Sequence, residues 1–162
     1  MKHVAGLEPR GFRWVIAGRL AVSERIGGHG FQHRRVRREE EIIWIREQGI
    51  NTVFSLLAGN QNQAAYDAAD LTFIPHPVED PVDPVEGATF SAALGAALAE
   101  DGASVLVHRD LIDDTVVGLL GGYLVHAGLI KDPIIATSII QEIIGRPLGP
   151  EGRRLIPARQ AQ

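Results

Sequence analysis

Residues 104–127 read SVLVHRDLIDDTVVGLLGGYLVHA. A short apolar run, Val105-Leu106-Val107, ends at His108. A tight polar segment follows, Arg109-Asp110-Leu111-Ile112-Asp113-Asp114, and Thr115 opens an apolar, glycine-containing helix. Strand, loop and helix N-terminus in that order form a geometry that holds an anion on backbone N–H groups. Yet this loop carries three aspartates, and the whole chain has no cysteine.

Outward from that stretch, the chain alternates short apolar runs with helical segments. Arg13–Leu20 is expected as a strand stopped near Gly18, and Asn51–Leu57 and Leu71–Ile74 as further strands. Helices are expected over 39–48, 63–69, 87–100, 115–129 and 134–144. Asp132-Pro133 supplies an N-cap with proline at the first helical position, and Gly145 with Pro147 supplies a stop. Between the first strand and the first helix, residues 23–38 carry three glycines and five arginines and read as a long loop. Pro75, Pro77, Pro81 and Pro84 predict a second irregular loop. Continuously apolar strands separated by helices predict an α/β fold, three-layered, with a mostly parallel sheet of about four to five strands and helices on both faces. Ligands in such folds sit at the carboxyl ends of strands, where the loop at 108–114 lies.

The bulk composition narrows the function classes. At 162 residues the chain is expected to form a single domain, residues 1–162, with 1–11 and 149–162 as peripheral tails. Its 45% hydrophobic and 22% charged residues are ordinary for a globular protein. A net charge of −4 gives no overall basic signature for nucleic acid. The missing cysteines exclude disulfides, thiolate metal sites and any thiol nucleophile, and fit a cytoplasmic protein. No apolar run approaches the roughly 18 residues of a membrane span. The start, MKHVAGLEPRGF, lacks the apolar core of a signal peptide.

Several pieces in order resemble the dual-specificity branch of the cysteine-dependent protein tyrosine phosphatases. They are Phe12-Arg13-Trp14-Val15-Ile16-Ala17-Gly18-Arg19-Leu20-Ala21, then Glu40-Glu41-Ile42-Ile43-Trp44-Ile45 leading to Gly49-Ile50-Asn51-Thr52-Val53. Next comes His76-Pro77-Val78-Glu79-Asp80, similar to that family's His-x-Pro-Val-x-Asp loop, and last Val105-Leu106-Val107-His108 with its helix. The resemblance covers roughly residues 12–148. It implies a loop in which a cysteine thiolate attacks phosphorus, backbone amides and an arginine hold the phosphoryl oxygens, and a separate aspartate protonates the leaving group. Here His108 and Thr115 match the family pattern, and Asp80 matches the general acid. Arg109 stands at the cysteine position, Asp114 stands at the arginine position, and the loop is one residue shorter. Arginine is always protonated and cannot be a nucleophile, and an aspartate repels the phosphate that an arginine would clamp. The chain is therefore expected to be a pseudophosphatase, noncatalytic, with a binding or regulatory role and no cofactor.

The remaining polar residues admit competing readings. Asp113 or Asp114 caps the helix and fills the old anion site from within, or is an N-cap and nothing more. Asp110, Asp113 and Asp114 with His108, His76 and Asp80 are the alternative: a divergent hydrolase in the former pocket, metal-assisted by a hard cation or by zinc. Their spacing matches no metal loop, so no metal is expected. His108-Arg109-Asp110-Leu111 also matches a kinase catalytic loop, but Thr115 stands where that loop needs its metal-binding Asn. Arg25, His29, His33, Arg34, Arg35, Arg37 and Arg38 form a local positive cluster. It recognises a protein or small anionic ligand, pairs with Glu39–Glu41 as a solvated loop, or folds over Asp110, Asp113 and Asp114 and closes the pocket. Gly118, Gly121 and Gly122 predict close packing of their helix against the sheet or a second subunit.

Overall fold

The computed structural model describes residues 6–59 and 62–158. Its five strands are β1 (Arg13–Ile16), β2 (Leu20–Glu24), β3 (Thr52–Ser55), β4 (Thr72–Pro75) and β5 (Val105–Arg109). Its α-helices are α1 (Arg35–Glu47), α2 (Gln63–Ala68), α3 (Pro84–Ala99), α4 (Asp114–His126), α5 (Pro133–Ile144) and α6 (Pro150–Arg153). The strands form one sheet in the order β1-β2-β5-β3-β4. β1 and β2 are antiparallel, and every other neighbouring pair is parallel. The expected α/β fold with a mostly parallel sheet is what the chain adopts.

The described residues divide into two units. The first runs up to Pro77 and includes Asp101–Ile112, so it holds the whole sheet with α1 and α2. Its core joins Ala21, Val53 and Leu106 of the central strands to Ile42 and Ile45 of α1 and Tyr66 of α2. Phe12 meets Trp14 and Trp44 edge-on, at ring centroid distances of 5.4 and 4.8 Å. The second unit comprises Val78–Glu100 and the described residues from Asp113 onward. There α4 is the central helix, with α3, α5 and α6 packed on it. Every residue of α4 from Thr115 to Leu124 is buried.

Four sequence expectations are corrected. The run 13–20 is a hairpin rather than a strand, because Gly18 at φ +74° turns the chain and starts β2. The loop expected over 23–38 already contains β2 up to Glu24 and α1 from Arg35. Pro84 opens α3 instead of excluding helix. Asp83 Oδ1 accepts from Glu86 N at 2.7 Å while Glu86 Oε1 accepts from Asp83 N at 3.0 Å, a complete capping box. Residues 149–156 are not a peripheral tail: they carry α6 and bury Gly152, Leu155 and Ile156.

That last segment also explains the helix glycines. A Cβ on Gly118 would lie 2.4 Å from Gly152 O, and one on Gly122 would lie 2.4 Å from Leu155 O. What presses on this stripe is the backbone of 149–156, which cannot retreat as a flexible side chain would. Gly122→Ala is expected to destabilise the protein by about 1–3 kcal/mol through overpacking, despite alanine's better helix propensity. Gly95→Ala in α3 should do the reverse, gaining up to about 1 kcal/mol, because its Cβ would meet only Tyr123 Cε1 at an ordinary 3.9 Å. Urea unfolding midpoints of the two variants check the opposite signs.

Candidate functional site

His108 lies near the end of β5, paired in register with Ser23 of β2 and Ser55 of β3. Strand alternation puts it on the same face as Leu106, toward α1 and α2. The ring is 2% exposed. Ile26 N donates to Nδ1 at 3.5 Å, and Nε2 lies 3.0 Å from Ser55 Oγ. A nitrogen that accepts carries no proton, so the neutral ring holds its proton on Nε2 and donates to the serine. Burial, and secondarily the nearby Arg25 cation, push its pKa down to about 3.

The polar groups around it form a closed set. Asn62 Nδ2 donates to Ile26 O at 2.8 Å and lies 3.2 Å from Tyr66 Oη. His33 Nε2 is 3.4 Å from Asn62 Oδ1. Glu41, 1% exposed, accepts from Gly27 N at 2.8 Å and from Arg37 Nε at 2.7 Å. Burial raises the pKa of Tyr66, so its hydroxyl stays protonated. The cavity among Arg25, Ser55, Asn62, Tyr66 and His108 measures about 10 Å³, room for one water at most. The sequence pointed to His108 and His33 here and to Glu41 as a partner of the arginine cluster, and it missed Ser55, Asn62 and Tyr66. Only the Asn62/Tyr66 spacing of four on one helix face was a usable signal.

The expected closure of the loop by four arginines is not what forms. In the first unit Arg25 reaches Asp110, with Nη1 3.4 Å from its Oδ1. Arg35 pairs with Glu39 at 3.1 Å and Arg37 with Glu41, both one helical turn ahead. Arg34 donates to the carbonyls of Phe31 and His33. Arg38 lies on α1, its Nε buried without an acceptor. Arg35 and Arg37 lie on α1, so helix geometry directs them to their own i+4 neighbours. His29 precedes the short 3₁₀ turn at Gly30–Gln32 and makes no side-chain cap. His76 stacks on Phe54 at 5.4 Å, and burial lowers its pKa.

Asp113, Asp114 and Thr115 belong to the second unit. Asp113 Oδ1 accepts from Val116 N at 3.0 Å and caps α4. Asp114 does something the sequence did not suggest. Its two carboxylate oxygens accept from Gly149 N and Gly152 N, both at 2.6 Å, so it caps α6 from outside that helix. Thr115 Oγ1 donates to Asp80 Oδ1 at 2.7 Å. Asp80, Asp113, Asp114, Thr115, Pro81 and Glu151 line a cavity of about 430 Å³. Its charged lining is entirely acidic, the reverse of what a phosphate dianion requires. Among the described residues no group of three or more His, Asp or Glu side chains is placed to hold a metal ion. Of the acids considered as ligands from the sequence, Asp110 pairs with Arg25, and Asp113 and Asp114 accept from helix starts.

No family model matches the sequence, and no curated protein matches it. Solved structures do. Kinase-associated phosphatase, with serine replacing its catalytic-site cysteine, aligns at a TM-score of 0.72 and 14% identity over 91% of this chain and 92% of that one. The core catalytic domain of the S. cerevisiae PP-IP phosphatase Siw14, in complex with citrate, aligns at 0.68 and 11% identity, over 96% and 89%. A variant of human DUSP28 aligns at 0.61 and 16% identity, over 89% and 90%. The fold is that of the dual-specificity phosphatases. No helix among the described residues is long and apolar enough to cross a membrane.

Two predictions follow from this geometry. The unfolded chain protonates His108 near its ordinary pKa of 6.5 and the folded chain only near 3, so the unfolded state binds more protons between these values. Stability should fall as pH is lowered through that interval, and His108→Gln should flatten the dependence in pH-resolved denaturant melts. Asp114→Ala frees two backbone donors and should cost about 2–4 kcal/mol. It should also speed tryptic cleavage after Arg153 and Arg154, followed by mass spectrometry.

Proposed function

We propose that this chain is a phosphatase-fold protein without the phosphatase reaction, acting by binding. The observation that carries the reading is the residue set at the end of β5 in a chain with no cysteine: His108 is present and Arg109 follows it. A guanidinium is a permanent cation with no nucleophilic lone pair. Asp114, at the position matching the phosphate-clamping arginine, is committed to Gly149 and Gly152. Asp80, matching the general acid, accepts from Thr115. The partner we infer is a protein or small anionic ligand that meets the segment around Phe31 and Val36, 98% and 69% exposed, flanked by Arg34 and Arg35. The Arg35–Glu39 pair there is solvent-exposed, and such pairs yield to an incoming anion at little cost.

A divergent hydrolase is the competing reading. Its support is the acidic cavity of about 430 Å³, where Thr115 orients Asp80. An aryl phosphate assay with and without Mg²⁺, Mn²⁺ and Zn²⁺ separates the two. The expected result is no turnover above buffer in any condition. Turnover that disappears in Asp80→Asn or Asp113→Asn would replace the noncatalytic reading with the hydrolase.

A further inference from the structure

A second cavity lies in the first unit, between α1 and α2, and is lined by none of residues 108–115. It measures about 550 Å³, within the size range of small-molecule sites. One wall is a single face of α1: Arg35, Arg38, Glu39, Ile42 and Ile43, at helical spacings of three and four. The other wall is Ala64, Ala65 and Ala68 along α2 and Ala69 at its C-cap. The α1 face is graded: charge lies toward its N-terminal end and branched apolar side chains lie one to two turns on. Four alanines opposite Ile42 and Ile43 leave space where larger residues would have closed the groove.

The charge at the polar end does not balance. Arg35 and Glu39 neutralise each other at 3.1 Å. Arg38 has no acidic partner among the described residues, and its Nε donor is buried with no acceptor at all. That Nε is closed to a ligand as it is to water, so Arg38, which lines the groove, would meet an anion through its two Nη groups. A carboxylate is the acceptor whose geometry suits a guanidinium best, because it takes two parallel N–H bonds. The rest of such a ligand would lie along Ile42, Ile43 and the alanines and lose its apolar surface from water.

We propose that the α1–α2 groove is a binding site for a small apolar monocarboxylate, with the carboxylate on Arg38 and the hydrocarbon body between Ile42, Ile43 and the α2 alanines. This site does not depend on whether the protein hydrolyses phosphate. The test uses sodium decanoate, below its micellar concentration, titrated into the full chain by calorimetry and by methyl NMR. Saturable one-to-one binding is expected, with shifts at Ile42, Ile43, Ala64, Ala65, Ala68 and Ala69. Decanol and decyltrimethylammonium, which share the apolar body and lack the anion, should bind at least tenfold more weakly. Arg38→Gln should weaken decanoate at least tenfold, and Lys131→Gln, exposed and outside the groove, should leave it unchanged. Ala68→Leu fills the groove from an exposed position that the fold tolerates, so it should abolish binding even if Arg38→Gln unfolds the chain. Absence of saturable binding, equal affinity for the three probes, or shifts confined to other residues would each overturn the proposal.

Discussion

A neutral, buried imidazole holds the first unit together at the carboxyl end of its sheet. His108 joins β5 to β3 through Ser55 and to the chain leaving β2 through the backbone N–H of Ile26. The contact with Ile26 N requires Nδ1 to be unprotonated and so the ring to be uncharged, and burial enforces that. Asn62 then ties Ile26 to α2, and Glu41 ties Gly27 to α1. Buried polar groups are stabilising only when each finds its partner. Here the partners come from four separate elements, so the arginine-rich segment and both helices of this unit are fixed by one shared requirement.

The acids of the neighbouring loop show how one residue type can serve different ends. Asp110 meets a cation, Asp113 meets the first turn of its own helix, and Asp114 meets the first turn of another. In the latter two, a carboxylate occupies backbone N–H groups at a helix start, the kind of position that attracts anions in general. The second unit thus uses as structure what an anion-binding protein would use for ligand. Asp114 and the glycine stripe act on the same target from two sides. The carboxylate holds the start of α6, and the absence of side chains at Gly118 and Gly122 lets its backbone sit against α4.

Much of the fold was legible because its local signals are strong. Continuous apolar runs marked β3, β4 and β5, and Asp132-Pro133 with Gly145 marked both ends of α5. Asp132 does accept from Ile134 N, and Gly145 does adopt a left-handed conformation. Where the reading failed, the local signal was absent or outweighed. Nothing in Arg34 to Arg38 resembles a helix start, and Arg34 provides no side-chain cap. The start of α1 is tied down instead by Gly27, whose O accepts from Arg34 N and whose N donates to Glu41, a pairing that only the folded chain makes. Pro84 looked like an interruption because prolines crowd the segment before it, although its capping box was written in Asp83 and Glu86.

The sequence by itself determined what this protein lacks: with no cysteine and with Arg109 after His108, a thiolate displacement at phosphorus has no nucleophile. It also determined the α/β class, because apolar periodicity is a local property of the chain. Only the tertiary structure decided where the charges go. Five arginines close together in sequence look like one basic patch. In space Arg25 goes to the loop, Arg35 and Arg37 to their own helix, Arg34 to backbone carbonyls, and Arg38 to the edge of a groove. Electrostatic pairing acts over a few ångströms, and residues far apart in sequence come within that range only when the chain is folded.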